Sequence, residues 1–182
     1  YSKSQGLIDD GYLLSTKDIN LVNNVADIVR SGVKSIKIEG RMKSPEYVGL
    51  VTEKYRKALD NYYDSTKGSI NQVDERELLQ IFNRGHFSRG YYFGKEKKDI
   101  AFIDSPKNIG TPVGTVISYN KSKSLLRVKL SANIAQGDGI GVLNSDDKLP
   151  GGIVTGIEKN GIFLKEAMAN EIVDLSRIKI NN

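Results

Sequence analysis

The sequence predicts a mixed α+β protein in which the end of a β/α (TIM-like) barrel precedes a small C-terminal β-barrel of about six strands. Two stretches with helical apolar spacing flank one stretch that alternates with period two, all within the first third of the chain. From Thr111 onward, short β-favouring runs separated by turn-forming residues replace this pattern. We therefore predict a barrel end at residues 1–66, a connector at residues 67–110 and a β-barrel at residues 111–182.

The first helix is predicted from a start signal and a stop signal. Ser15 and Asp18 form an S-x-x-D pattern, in which each side chain can satisfy a free backbone N–H of the first turn. Gly32 is a natural C-terminal stop. Between these signals the apolar residues recur at helical spacing: Ile19, Leu21, Val22, Val25, Ile28 and Val29.

A strand and a second helix follow at once. Residues 33–40 alternate with period two, Ser44 is placed to cap a helix, and Pro45 takes its first position. A lone strand between two helices needs parallel neighbours on both sides to be buried. The chain also begins at Tyr1 with neither Met nor a signal-peptide pattern. We therefore expect the remaining barrel strands to precede Tyr1, and we expect the chain to associate with that missing part or with a second copy.

The rest of the chain reads as a connector and then strands. Residues 67–69 form a polar break, and Asp74 can cap a short helix that ends near Phe82. Turn formers then separate the β-favouring runs, as in a closed barrel or a compact sandwich. These runs cover residues 113–119, 125–130, 139–143, 153–157, 162–164 and 172–180.

Composition excludes several functional classes. The 182 residues are 38% apolar and 27% charged, which is typical of a globular protein, and no apolar run is long enough to span a membrane. The sequence has no cysteine and a single histidine, so we predict no disulfide, no metal site and no iron–sulfur cluster held by this chain. The net charge of +5 is mild and unclustered, which fits a solvated surface or a weak RNA contact.

The predicted strand carries the candidate catalytic residues Lys37, Glu39 and Arg41. Ile36 and Ile38 share one face, so the three charged residues follow the other face and point to the interior or mouth of a barrel. β/α barrels place their active sites at the carboxyl ends of the strands. We predict that Arg41 and Lys37 bind an anion while Glu39 orients or transfers a proton; a purely structural ion pair is the alternative.

The segment at residues 83–92 is a weaker candidate for substrate or RNA binding, through Arg84, Arg89 and Tyr91. Arginine and aromatic side chains together can contact a phosphate and stack on a base. The alternative is that the same aromatics fill the seam between two domains, and this is the interpretation we favour. His86 is expected to be an ordinary surface or interdomain histidine.

Three segments carry a resemblance to a known family. YLLSTKD at residues 12–18 and SIKIEGRMKSPEYV at residues 35–48 resemble peptidase family U32, the collagenase-like proteases. FNRGHFSRGY at residues 82–91 is similar to that family's next recurrent block. The resemblance implies a β/α-barrel catalytic domain that ends near Tyr63 and an accessory barrel like those of translation proteins.

The resemblance leaves three interpretations of the chain open. In the first, the chain is the C-terminal part of a cytoplasmic peptidase whose β-barrel binds a peptide substrate or a partner. The second is part of an iron–sulfur, prephenate-linked hydroxylase of tRNA or rRNA bases, with the barrel on the RNA and the cluster's ligands upstream. A non-catalytic interaction module is the third. The chain holds no Ser/His/Asp set and no Cys/His pair, so activity is expected only in the intact parent protein.

Overall fold

The computed structural model describes residues 11–64, 72–94, 100–143 and 150–178. It divides the chain into two compact units between Gly110 and Thr111. Every helix of the described residues lies in the first unit, and most of the strands lie in the second. The finer division of the first unit into a barrel end and a connector remains a prediction.

The first unit is built from three helices and one pair of short strands. The parallel pair sets Asp18 opposite Phe87 and Ile19 opposite Ser88. The apolar core of the first unit is formed by Val22, Val25, Val51, Ala58 and Leu78. The elements are β1 (Asp18–Ile19), a 3-10 turn (Val22–Asn24), α1 (Val25–Arg30), α2 (Pro45–Tyr63), α3 (Gln72–Ile81) and β2 (Phe87–Ser88).

The second predicted helix is confirmed as α2. The Ser44 side chain accepts a hydrogen bond of 3.3 Å from the Tyr47 N–H, and Pro45 is the first helical residue. Val51 and Ala58 lie on the buried face, as the apolar stripe predicted. The short helix predicted from Asp74 is α3, which already begins at Gln72. The polar break predicted at residues 67–69 lies outside the described residues.

The first helix starts later than its signal predicted. Asp18 lies in β1, because its backbone pairs with Phe87, and the Ser15 hydroxyl donates to the Ser105 carbonyl at 3.3 Å. The helical turn instead begins at Val22, whose N–H donates to the Asn20 side chain at 3.0 Å. Gly32, with φ of +84°, ends the helix as predicted.

The strand predicted at residues 33–40 is wrong for this structure. The segment lacks regular secondary structure, and none of the described backbone hydrogen bonds joins residues 33–39 to another segment. A strand needs a neighbour to pair with, and the described residues place none beside it. The described residues of the first unit therefore do not show the end of a β/α barrel.

The second unit is an antiparallel β structure. Its main sheet has five strands in the order β3-β4-β11-β8-β9, and two short pairs, β5 with β10 and β6 with β7, complete it. The strands are β3 (Gly114–Asn120), β4 (Leu125–Leu130), β5 (Ile134–Ala135), β6 (Gly139–Gly141), β7 (Gly151–Ile153), β8 (Ile157–Lys159), β9 (Ile162–Leu164), β10 (Glu166–Ala167) and β11 (Ile172–Ser176).

Alternation along the central strands sets this unit's core. In β4 the residues Leu126, Val128 and Leu130 are buried, while Arg127 and Lys129 are exposed. Leu126 lies opposite Leu175 and Val128 opposite Val173 across the pairing of β4 with β11. One face of the sheet is therefore apolar and packed, and the other carries charge. The buried residues are Leu126, Val128, Leu130, Ile134, Val154, Ile157, Ala167, Val173, Leu175 and Ile178.

The predicted strands match this sheet with differences. The runs at 125–130 and 162–164 are confirmed as β4 and β9, whereas the run at 153–157 is divided between β7 and β8. The division follows from pairing, because the Val154 N–H donates to Asp138 and the Gly156 carbonyl accepts from Ser176. The pair of β5 with β10 was not predicted. The described strands form an open sheet with β3 and β9 at its edges, not the closed barrel expected. Residues 179–180 of the last predicted strand lie outside the described part.

Candidate functional site

The predicted catalytic residues Lys37, Glu39 and Arg41 lie together on the surface of the first unit. The Lys37 Nζ is 3.3 Å from a Glu39 carboxylate oxygen, and their side chains are 85% and 65% exposed. The other Glu39 oxygen accepts the Arg41 backbone N–H at 2.8 Å. This backbone hydrogen bond, and secondly Lys37, lowers the pKa of Glu39 below its ordinary value. Glu39 is therefore an ionised carboxylate at neutral pH, and the catalytic role of the three residues stays a prediction.

A second charged group was not predicted from the sequence. We call it the cationic cluster, and it consists of Asp18, Lys43 and Arg84. The Lys43 Nζ is 3.6 Å from one Asp18 oxygen, and the Arg84 Nη2 is 3.8 Å from the other. Asp18 comes from β1, Lys43 precedes α2, and Arg84 follows α3. One carboxylate thus faces two cations, so the cluster carries an excess positive charge.

Two aromatic rings line the cationic cluster. The Lys43 Nζ lies 2.7 Å from the ring centroid of Phe82 and 5.0 Å from that of Tyr47. The Arg84 Cζ is 5.7 Å from the Phe82 ring, and the two rings meet edge to face. The Lys43 side chain is only 14% exposed. Its pKa is lowered chiefly by burial, while Asp18 raises it and Arg84 lowers it. The rings therefore hold both cations close to a single carboxylate, and the cluster favours a further anionic group.

The locations of the three cluster residues in the sequence could have indicated that they meet. The three residues come from the three segments that carry the family resemblance, residues 12–18, 35–48 and 82–91. Asp18 was interpreted as a helix cap, and Lys43 was given no role beyond its place in the segment at residues 35–48. Only Arg84 was a candidate binding residue. Shared membership in those segments could have suggested that the three residues meet.

The other two residues of the weak binding prediction lie in a different environment. Arg89 is exposed, and its Cζ is 5.4 Å from the ring centroid of Phe93. Tyr91 is 71% exposed. The structure thus places Arg84 against Asp18 and leaves Arg89 and Tyr91 on the surface. His86 is exposed as predicted, and its backbone N–H donates to the Asn83 side chain at 2.7 Å.

An apolar recess of about 370 Å³ lies between α1, α2 and the extended segment at residues 33–38. Its apolar lining includes Ile28, Val29, Ile36, Ile38 and Leu59. The two charged side chains on its edge are Lys34 and Arg56, and Arg56 is bound to Asp60 at 2.7 Å. The recess therefore offers apolar surface and no acid–base pair.

The described residues contain no group of three His, Cys, Asp or Glu side chains that could hold a metal ion. Since the sequence has no cysteine, this chain offers no thiolate ligands for an iron–sulfur cluster. Within the described part, no helix is both long and apolar enough to cross a membrane. The arrangement of the described residues suits the binding of an anionic partner.

Comparison with known proteins places the chain in a family. The family model described as Peptidase family U32 matches residues 2–101. The chain belongs to peptidase family U32. The matched region of this U32 chain contains the cationic cluster and also Lys37, Glu39 and Arg41.

Relatives of this U32 chain carry two kinds of name. The 23S rRNA 5-hydroxycytidine C2501 synthase of Escherichia coli K12 is 34% identical, over 92% of this chain and 26% of that protein. A collagenase of Porphyromonas gingivalis is 39% identical over 51% of the chain and 27% of that protein. The tRNA hydroxylation protein P1 of Bacillus subtilis 168 is 26% identical over 71% of the chain and 31% of that protein. The chain thus spans about a quarter to a third of the length of these relatives.

Proposed function

We propose that this U32 chain belongs to an enzyme that hydroxylates RNA bases, and that the chain itself helps to bind the RNA. The observation that carries this proposal is the extent of one match. The similarity to the rRNA 5-hydroxycytidine synthase covers 92% of the chain and so includes most of both units. The match to the collagenase covers 51%. The proposal thus accounts for the C-terminal unit as well as the first.

The geometry of the first unit supports a binding role. The cationic cluster has two cations for one carboxylate, and aromatic rings shield it from water on one side. A phosphate oxygen is the anion that RNA would bring to Lys43 and Arg84. We propose that these two residues contact the RNA backbone and that the C-terminal unit contacts the same RNA.

For the reaction itself we propose that Lys37, Glu39 and Arg41 line the catalytic pocket of the intact protein. Arg41 would hold the carboxylate of a small-molecule co-substrate, and Glu39 fixes the loop through its hydrogen bond to the Arg41 N–H. An iron–sulfur cluster would take its thiolate ligands from outside this chain, because the chain has no cysteine.

We also propose that the remaining part of a β/α barrel packs against residues 33–40 and the apolar recess. The backbone groups of residues 33–39 make no described bond to another segment, and a paired strand would satisfy them. A second copy of the chain at the same surface is the alternative partner. We propose a cytoplasmic location, since that is where ribosomal and transfer RNA would be available to the enzyme.

The RNA proposal is tested by nucleoside analysis. Ribosomal and transfer RNA from cells with and without the gene would be digested and compared by mass spectrometry. We expect one nucleoside that is heavier than its parent by a single oxygen atom to disappear when the gene is deleted. Unchanged nucleosides in both RNA classes would contradict the proposal.

Peptidase activity is the second candidate, because the collagenase is 39% identical over its match, against 34% for the rRNA 5-hydroxycytidine synthase. We expect this chain alone to show no turnover of gelatin or peptides. The described residues form no metal-binding group, and the sequence lacks cysteine altogether. Sustained gelatin cleavage by a contaminant-free preparation of these 182 residues would favour the peptidase instead.

A further inference from the structure

Three consecutive aromatic residues lie exposed beside an arginine in the first unit. We call residues 89–93 the aromatic turn. Tyr91, Tyr92 and Phe93 are all exposed, and the Arg89 guanidinium lies 5.4 Å from the Phe93 ring centroid. Tyr92 and Phe93 pack edge to face with their centroids 4.8 Å apart. Several aromatic faces and one cation thus point to solvent from a short stretch of chain.

The base of the aromatic turn is held in place. The buried Ser88 hydroxyl accepts the Gly90 N–H at 2.8 Å, and the Ser88 carbonyl accepts the Asn20 N–H at 3.0 Å. Gly90 has φ of +57°, and a Cβ there would lie 3.0 Å from the Ile19 side chain. Two further bonds, from the Tyr92 N–H to Arg89 and from the Gly94 N–H to Tyr91, close the turn. The aromatic side chains are therefore presented by an ordered backbone.

The chemistry of the turn favours a single-stranded nucleic acid. Every base offers a flat π face that can stack on an exposed ring, and a guanidinium can pair with the backbone phosphate. The turn contains no carboxylate to repel phosphate and no aliphatic side chain of the kind that fills protein–protein cores. In a duplex the bases are already stacked on each other, so their faces are not accessible to the aromatic side chains of the turn.

We infer that the aromatic turn binds unpaired RNA nucleotides, with Tyr91 and Phe93 stacking on bases and Arg89 contacting phosphate. This inference rests on the proposed function, since it assigns part of the RNA contact to a defined surface. It differs from the cationic cluster, whose Arg84 is turned toward Asp18.

The test uses the full 182-residue chain and a fluorescein-labelled oligocytidylate, followed by anisotropy. The probe would be roughly twelve nucleotides long, within the usual range of single-strand site sizes. We expect Tyr91→Ala and Phe93→Ala each to weaken binding at least roughly fivefold, as loss of one stacked base does. Tyr91→Phe should retain the affinity. Arg89→Ala should lower the slope of log affinity against log salt by about 0.7, the value for one lost phosphate contact.

The matched control is Tyr63→Ala, because Tyr63 is also 71% exposed and lies in the same unit at the end of α2. Thermal unfolding of every variant shows whether it is folded, and the Tyr91→Phe result keeps the test valid if an alanine variant unfolds. Equal binding by Tyr91→Ala and Tyr63→Ala would overturn the inference. Equal affinity for the same sequence as a duplex, or no binding of the oligonucleotide, would overturn it as well. The nucleoside analysis judges the proposed function separately, so hydroxylation could be lost on gene deletion even where this surface binds nothing.

Discussion

Glu39 shows how a single carboxylate can organise a loop without burial. It accepts the Arg41 N–H and pairs with Lys37, and all three residues lie on the surface. Exposed side chains such as these contribute little to the stability of the fold. A loss of activity when one of them is replaced therefore indicates a role in function.

We therefore predict that Arg41→Lys and Glu39→Gln lower the proposed RNA hydroxylation by the intact protein about tenfold or more. Lysine keeps the charge of Arg41 but loses its bidentate geometry, and glutamine loses the charge of Glu39. The measurement is the amount of modified nucleoside in cells that carry each variant, with the melting temperature of the purified protein as the check on folding. Wild-type levels of modification in both variants would show that the pocket assignment is wrong. A lowered melting temperature would show that the ion pair is structural.

Glu171 is the residue through which we expect the stability of the C-terminal unit to depend on pH. One of its oxygens is 2.6 Å from the Lys159 Nζ, and the other accepts the Met168 N–H at 2.9 Å. The hydrogen bond from Lys159, followed by that from Met168, lowers the pKa of Glu171 below its ordinary value of 4.5. A carboxylate with a lowered pKa in the folded state stabilises the protein above its ordinary pKa. That contribution is lost as the pH falls through the lowered value.

We predict that the melting temperature of the C-terminal unit falls between about pH 5 and pH 3, and that Glu171→Gln flattens this fall. The variant should be less stable than the wild type at neutral pH and closer to it at the acidic end. Glu166→Gln, at an exposed glutamate of the same unit, is the control. Parallel pH profiles for the wild type and Glu171→Gln would contradict the assignment.

Among the elements, β4 contributes most to the core of the C-terminal unit. It lies between β3 and β11 in the sheet, and its inward residues Leu126, Val128 and Leu130 are buried. Leu126 is 1% exposed and lies opposite Leu175 on the neighbouring strand β11. Truncating it would remove buried apolar surface and leave a cavity that rigid strands on both sides cannot close.

We predict that Leu126→Ala lowers the free energy of unfolding of the C-terminal unit by about 3 kcal/mol. Leu143→Ala, at a leucine that is 71% exposed in the same unit, should change it by less than about 0.5 kcal/mol. Urea denaturation followed by circular dichroism measures both. A cost for Leu126→Ala as small as that for Leu143→Ala would mean that the core does not pack as described.

At the scale of the whole molecule, the chain consists of two compact units that meet in sequence at Gly110 and Thr111. Each unit has its own apolar core, one centred on α2 and one on the paired strands β4 and β11. Separate cores allow separate cooperative unfolding.

We predict that residues 1–110 and 111–182 unfold in separable transitions. Leu126→Ala should shift the transition of the second unit and leave the first in place, while Val51→Ala, in the core of the first unit, should do the reverse. Differential scanning calorimetry of the full chain resolves the two. A single transition that both variants shift equally would show that the units fold as one.

The family could be recognised from the motifs in the sequence. Most local elements could also be predicted, because the interactions that form them lie within a single segment. The Ser44 cap, Pro45 and the apolar stripe of α2 act within one helix, and the alternation of residues 125–130 acts within one strand. The start of the first helix could not be predicted in this way. Asp18 has the chemistry of a cap, but its backbone pairs with Phe87, a residue far away in the sequence.

The tertiary structure alone decided which residues meet and which stay exposed. Residues 33–40 have the alternation of a strand, yet a strand requires a partner that the described residues do not supply, so the segment is irregular. Lys43, Asp18 and Arg84 come from three distant segments, and only the packing of α2 and α3 beside β1 brings them together. Local sequence determines the conformation that a segment favours. Contacts between distant segments determine whether its backbone is paired, whether its side chains are buried and whether its charges form ion pairs.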